Sequence, residues 1–399
     1  MTYLTNASAD AIIVGAGING MAIALSLAQH QQQVFIIDAA LPAQNQHDQH
    51  TYDSRIYALN ENSIEYLKKI GVWDLCDEQR IQPIRSMKVL GDRSGELVFN
   101  ATEKSIDNDS LGVIIESRQM IHALRQCVQQ HPRITLFHGD RVSLVELQGE
   151  ERVVTLEDNR RFGAKLLIAS DGVHSATRKL LGINETIIPY QHSAVVANYQ
   201  SDRDHLGEAK QWFLPDGDIL AWLPLPDKKV SMVWSTQHTK AEYLVKASAS
   251  ERITSIIHAV GYGVGALQEI TPPQRFPLLM LTVDPLVLDR FMLCGDAAHG
   301  VHPMAGQGLN LGLADVSTFM ELFEKRGGSS EDVGNPRLLS AYARRRRESI
   351  LLMQTLTHSL YVGFNSPQPW ISMVMNTGMS IINQWPGIKK LLLKQAGHA

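Results

Sequence analysis

The chain has 399 residues, enough for two or three domains, and its 44% hydrophobic and 20% charged residues are ordinary for a soluble globular protein. A formal net charge of -4 argues against a nucleic-acid binder, and three scattered cysteines (Cys76, Cys127, Cys294) argue against a disulfide framework. No run reaches the ~18 apolar residues of a membrane span and no signal-peptide pattern opens the chain, so a cytoplasmic location is expected.

Residues 11–14 read as a short buried strand, followed at once by Gly15-Ala16-Gly17-Ile18-Asn19-Gly20, a helix over 21–28 and a second strand over 34–37 that ends in Asp38. This is the strand–turn–helix–strand setting that a dinucleotide fingerprint requires. Gly15 permits the tight turn, Gly17 lets a pyrophosphate approach the backbone, and Gly20 lets the helix pack on the strand. Asp38, about twenty residues on, is placed to accept hydrogen bonds from an adenosine ribose. The fingerprint does not separate FAD from NAD. The polar run 44–50, with its histidines, reads as a solvated loop rather than a metal site. An amphipathic helix follows with Ile64, Leu67 and Ile70 on one face. Arg55, just before it, is either a surface charge or a partner for a pyrophosphate.

Strands are expected across 87–100, then a helix over 119–130 introduced by Arg118. Residues 166–170 form another buried strand, ending in Asp171-Gly172, with Ser175 and Arg178 beyond it. Turn chemistry alone explains such a pair, and so does a ligand at the carboxyl end of a strand. From 187 to 281 the pattern alternates as in an antiparallel sheet with one helix, 249–260, packed on it. This reads as a second domain inserted between the cofactor segments. Its aromatics Tyr199, Trp212, Phe213 and Trp222 fit either a core or an apolar pocket.

Residues 291–294 form a strand ending in Gly295-Asp296. A loop with His299, His302 and Pro303 leads to a helix whose first turn, from about Gly306, is rich in glycine. Such a helix start offers unpaired N–H donors and a positive dipole end to an anionic group. The spacing of His299 and His302 suggests metal ligation, but no third ligand is apparent. The remainder reads as helical, with the four arginines 344–347 on a solvated face. Trp370, Met373, Met375, Lys389 and Lys390 suggest peripheral membrane contact.

The fingerprint with Asp38, then Asp171-Gly172, then Gly295-Asp296 with its glycine-rich helix resemble the class A flavoprotein monooxygenases, the family of para-hydroxybenzoate hydroxylase. The resemblance sharpens towards the ubiquinone-biosynthesis hydroxylases (the UbiH/UbiF/VisC group). It is carried by SRIYALNENSIEYLKKIGVWD, ESRQMIHAL, QHSAVVANY, ILAWLPLPDKKVSMVWS, GDAAHGVHPMAGQGLNLGLADV and AYARRRRES, which span nearly the whole chain. Asp38 stands where Glu is more usual, and Ser170 where Ala is common.

The resemblance implies an α/β architecture: a discontinuous Rossmann-like FAD-binding domain (1–85, 112–185 and 283–335), an inserted β-sheet substrate domain (86–111 and 186–282) and a C-terminal helical region (336–399). It implies FAD held by Gly15, Gly17, Gly20, Asp38, Arg55, Arg118, Asp171, Gly172, Gly295, Asp296, Gly306, Gln307, Gly308 and Asn310. Pro303, Gly306 and Gly308 would surround the flavin ring, NAD(P)H would be a transient co-substrate, and no metal is used. The implied reaction is hydroxylation of a polyprenylated phenol or quinol with O2 through a flavin C4a-hydroperoxide. Tyr199 and His192 are the candidate bases. Access to such a substrate implies contact with the inner membrane or with other ubiquinone-pathway proteins. The alternatives are a flavoenzyme acting on a soluble aromatic or on prenyl double bonds, and a non-catalytic FAD-containing subunit.

Overall fold

The computed structural model describes residues 7–41, 51–103, 109–390 and 392. The histidine-rich run 44–50 lies outside the described residues. Five short apolar strands form the parallel centre of one sheet, in the order Phe291–Leu293, Arg161–Ala169, Ala7–Val14, Val34–Asp38, Ile134–His138. Their inner residues are apolar without alternation because both faces are covered. The helices Ile18–Gln29, Ser117–Gln130 and Gln307–Lys325 contribute to the core on one face. On the other, the antiparallel strands Val142–Gln148 and Glu151–Leu156 contribute to a second core.

Register decides where the motifs lie. Val14 pairs with Ala169, and Ala169 with Leu293, so three adjacent strands end side by side. Each is followed within two residues by one of the three motifs. In an open parallel sheet, the carboxyl edge is where ligands bind.

The second sheet is centred on the long strand Asn184–Ser201, which pairs antiparallel with Gln274–Asp284 on one side and Lys229–Gln237 on the other. Beyond Lys229–Gln237 come Ile219–Leu225, Glu208–Phe213, Ser86–Leu90 and Glu96–Asn100, so a strand pair from early in the chain closes a sheet built from its middle. Two helices, His238–Lys246 and Ala249–Val260, pack on this sheet where one was expected. Ser248 separates them because it caps the second helix in a reciprocal capping box with Glu251. His299–Gly300 pairs with Gln274–Asp284, joining the third motif's loop to the second sheet.

Two helices, Pro336–Phe364 and Pro369–Gln384, follow, with a last helical turn at 386–390. Of the four arginines expected on a solvated face, three are exposed and Arg346 is buried. Lys389 is also buried, with its ammonium 2.6 Å from Glu103.

Candidate cofactor and substrate site

The fingerprint glycines divide by what surrounds them. A Cβ on Gly15, which has φ +106°, would lie 2.4 Å from Ser170 O, and one on Gly20 would lie 2.0 Å from Gly15 O. These two are required by close packing inside the chain. A Cβ on Gly17 would meet no protein atom within 4 Å, which leaves the backbone open to a ligand. Asp38 accepts from the amide of Ala16 at 2.5 Å and from that of Ala40 at 2.7 Å. The carboxylate therefore ties the second strand to the glycine turn.

Arg55 and Arg118 are far apart in sequence and are brought together by Asp53. One oxygen of Asp53 accepts from the amide of Arg55 and the other from the amide of Arg118, both at 3.0 Å. The carbonyl of Asp53 accepts from Asn198 Nδ2 at 2.8 Å, linking the pair to the long strand of the second sheet. Behind them the buried Glu116 receives Arg80 at 2.7 and 3.0 Å and the amide of Asp53 at 2.6 Å. The side chain of Arg55 is exposed and lies over the ring of Tyr57, 5.5 Å from its centroid. Sequence reading did not single out Asp53 or Glu116. An Asp readily accepts from the backbone amide two residues on, an Asx turn, which is the one signal available for Asp53.

The second and third motifs are braced from within. Asp171 accepts from Thr177 through one oxygen, while its buried Oδ1 has no protein partner. Arg178 is fully buried, paired with Glu185 and donating to Ala297 O at 2.7 Å and Val173 O at 2.8 Å. It is a strut between the two loops rather than a ligand-facing cation. Asn19 fills the space between Gly295 and Gly312: a Cβ on either glycine would come within 2.3 Å of Asn19 Nδ2. The fingerprint helix thereby touches the third motif through backbone surfaces only glycine leaves free.

Asp315, completely buried, accepts from the amide of Gly295 (2.8 Å), from His299 Nε2 (2.8 Å) and from Arg346 Nε (2.7 Å). Desolvation pushes its carboxyl up, but His299, Arg346 and the Gly295 amide outweigh it and hold the carboxyl below its ordinary value. His299 Nε2 is thus committed to Asp315, and among the described residues no three metal-ligating side chains converge. Asp296, next to Gly295, remains exposed.

Gly306 starts the helix Gln307–Lys325 in the left-handed conformation (φ +65°), and a Cβ there would lie 3.0 Å from that of Ala58. Gly308 has no protein atom within 4 Å of a Cβ position. This helix and the fingerprint helix both begin at a glycine with no side-chain cap and no acid in the first turn, whereas Asn60, Ser248 and Asn335 cap theirs. Two uncapped helix starts, open glycines at Gly17, Gly172 and Gly308, and an orphaned Asp171 oxygen make a cradle that fits FAD.

Two expectations change. Asn310 was expected at the cofactor, but its amide is committed inside the fold: Oδ1 accepts from Asn60 N and Ser63 Oγ, and Nδ2 donates to Ala58 O. Tyr199 was a candidate base, but it is fully buried against Trp222 and its hydroxyl lies 3.5 Å from Glu269. Burial raises its pKa, and it faces away from His192, since residues 192 and 199 have opposite parity on one strand. His192 lies with Tyr190 and Tyr361 on the face carrying Ala194, close to His302 and Pro303.

A family described as FAD binding domain matches residues 8–355. The chain is 30% identical over 393 residues to the 3-demethoxyubiquinol 3-hydroxylase of Escherichia coli, covering 98% of this chain and 99% of that protein. It is 29% identical to the ubiquinone hydroxylase UbiL of Rhodospirillum rubrum, covering 97% and 89%. The structure of p-nitrophenol 4-monooxygenase PnpA from Pseudomonas putida superposes with a TM-score of 0.79 at 16% identity, covering 99% of each chain, so the fold is shared. The chain belongs to the class A FAD-dependent monooxygenases and, among them, to the group of ubiquinone-biosynthesis hydroxylases, with FAD as its cofactor.

Proposed function

We propose that this monooxygenase hydroxylates the aromatic ring of a polyprenylated phenol or quinol in ubiquinone biosynthesis, with NAD(P)H as reductant and O2 as oxygen source. The observation that carries the reading is the end-to-end match to a 3-demethoxyubiquinol 3-hydroxylase, which takes in all three cofactor motifs and the second sheet. When bound, FAD supplies electron transfer from NAD(P)H and activation of O2.

The chain's own residues bind, orient and shield. Residues 1–85, 112–185 and 283–335 would form the FAD-binding part, 86–111 and 186–282 the substrate part, and 336–399 the helical cover. Gly15, Gly17, Gly20 and Asp38 would hold the adenosine half. Arg55, Arg118, Asp171 and Gly172 would hold the phosphates and the middle of the cofactor, and Gly295 and Asp296 the ribityl chain. Pro303 and the amides of Gly306, Gln307 and Gly308 would border the flavin ring, where the helix dipole favours negative charge. Asn310 would act through its bonds to Asn60, Ser63 and Ala58. Of the two base candidates His192 remains, since Tyr199 faces away from it.

A prenyl tail calls for an apolar approach from a bilayer or a pathway protein. No helix among the described residues is long and apolar enough to cross a membrane. The two C-terminal helices nevertheless expose Leu351, Leu352, Trp370, Met373 and Val374, with Trp385 just beyond, which supports peripheral contact with the inner membrane.

The test is the absorbance spectrum of the purified protein, followed by NADH and NADPH oxidation with and without short-chain prenylphenols. Flavin bands and phenol-stimulated oxidation, with one oxygen atom from labelled O2 in the product, are expected. Flavin bands with oxidation unaffected by any phenol would overturn the reading in favour of a reductase or a non-catalytic subunit.

A further inference from the structure

In the long strand, the ladder to Gln274–Asp284 runs to Pro189 paired with Leu279 and resumes at Ser193 paired with Pro277. Tyr190, Gln191 and His192 therefore oppose Leu278 alone. Gln191 takes φ +57° and points outward, while Tyr190 and His192 are buried. Such bulges re-aim side chains. Against this one stand His302, from the loop just before Pro303, and His358 and Tyr361, from the helix Pro336–Phe364.

Five rings make one cluster. Tyr190 lies 5.0 Å from His302 edge-on and 4.5 Å from Tyr361, with His358 at 5.9 Å. Tyr361 lies 5.4 Å from His192 and 5.3 Å from His302, and its hydroxyl donates to Tyr190 O at 2.9 Å. Apolar walls come from Ala194 and Leu278.

The cluster is polar yet internally unsatisfied. Both ring nitrogens of His302, 1% exposed, have no protein partner, and neither has Tyr190 OH, His192 Nδ1 or His358 Nδ1. Buried polar groups are ordinarily bonded, as His299 three residues earlier is to Asp315. Structural packing explains His299 and leaves His302 without a role.

We propose that His302, framed by Tyr190 and Tyr361, is the hydroxyl-recognition site for the aromatic substrate: its imidazole accepts the ring O–H, and the Tyr190 hydroxyl donates to the same oxygen. The inference rests on the hydroxylase reading and adds the residue that makes the enzyme selective for phenols. A neutral imidazole offers one acceptor nitrogen to the ring O–H, and the Tyr190 O–H donates to the same oxygen, so the substrate hydroxyl gives one hydrogen bond and takes another. Burial, with His192 adding to it, pushes the pKa of His302 down to about 3, so the acceptor lone pair is available throughout the physiological range. A ring whose hydroxyl is capped keeps an acceptor for Tyr190 but leaves the His302 lone pair without a donor, and sites built to receive an O–H reject analogues that lack it.

The experiment titrates the FAD-loaded full-length enzyme with a short-chain ortho-prenylphenol and with its methyl ether, following flavin and tryptophan fluorescence, beside product analysis with labelled O2. Wild type is expected to bind the phenol at least about tenfold more tightly than the ether. His302→Phe should bring that ratio to within about twofold, and His302→Gln, which keeps an acceptor, should retain most of it. If His302→Phe does not hold FAD, His302→Leu, which is closer to the imidazole in size and also lacks an acceptor, carries the test and should bring the ratio to within about twofold. Equal binding by wild type, or a ratio that these variants leave unchanged, overturns the assignment. A ratio lost in His302→Phe with no hydroxylated product from wild type upholds the site and defeats the hydroxylase reading. Product with an unaltered ratio does the reverse, and binding of neither ligand defeats both.

Discussion

A methyl group added at Gly15 would press on Ser170 O, whereas one added at Gly17 or Gly308 would meet no protein atom within 4 Å. The same residue type is therefore required for folding at one position and for ligand approach at another. Gly17→Val and Gly308→Val are expected to keep the urea midpoint of the apoprotein near wild type and to purify with little flavin. Gly15→Val is expected to fail to fold. Gly306→Val belongs with Gly15→Val, because positive φ and the contact with Ala58 strain the chain whether or not cofactor is present. The flavin-to-protein absorbance ratio and urea unfolding separate the two outcomes. His302 gives a pH dependence of defined sign. Its folded pKa of about 3 lies below the ordinary value near 6.5, so between these the unfolded chain binds a proton that the folded chain does not. Stability contributed at this position should be constant above about pH 6.5 and fall below it by up to about 1.4 kcal/mol per pH unit. His302→Phe should flatten that decline without abolishing it, since His192 is lowered too. Urea midpoints at pH 7.5 and 5.5 measure it.

At the scale of elements, the helix Pro336–Phe364 meets the third motif through Arg346 and Asp315. Both side chains are almost fully buried, so removing one leaves the other charged in a dry site. Asp315→Asn should cost about 3–5 kcal/mol in urea unfolding and also weaken flavin retention, because the charge facing Arg346 is lost and an NH2 donor then faces either Arg346 or the Gly295 amide. The lowered carboxyl makes this stabilisation complete above about pH 4, with loss only as pH falls through the depressed pKa. A variant with wild-type stability at pH 7 would refute the role. This strut was partly legible in the sequence. Tyr342, Arg346, Ile350 and Met353 are buried at helical spacing, so one arginine of the four falls on the inward stripe. The strands and their motif loops were legible because a short apolar run that stops at glycine is the pattern of a buried strand entering a tight turn. The facing of His192 and Tyr199 was not: the long strand is buried on both faces, so alternation carries no sign, and the bulge at Gln191 has no sequence signature.

For the whole molecule, alternating apolar residues announce that a strand exists but not which strand it joins. Ser86–Leu90 pairs with Glu208–Phe213 across more than a hundred residues, and only the family resemblance grouped those segments. The C-terminal helices pose the converse question, since their tryptophan and methionine residues were visible in the sequence and the partner of those residues was not. Inward, Phe364 and Met379 pack with Phe213 and with Met304, the residue after Pro303. Outward, Trp370 is 62% exposed, Met373 62% and Trp385 60%, more apolar surface than a solvent-facing helix pair needs. One pair of helices thus connects the neighbourhood of Pro303 to an apolar exterior, an arrangement that would suit the membrane-dissolved substrate proposed above. The double variant Trp370→Ser/Trp385→Ser should cosediment at least about tenfold less with vesicles of phosphatidylethanolamine and phosphatidylglycerol, because interfacial tryptophans anchor such surfaces. Its KM for a long-chain prenylphenol presented in those vesicles should rise. Its turnover of a water-soluble short-chain prenylphenol should be unchanged, since neither tryptophan takes part in the ring contacts of the histidine cluster. Equal loss with both substrates would mean that the helices stabilise the fold around Pro303, and unchanged cosedimentation would move the apolar face from a lipid surface to a protein partner.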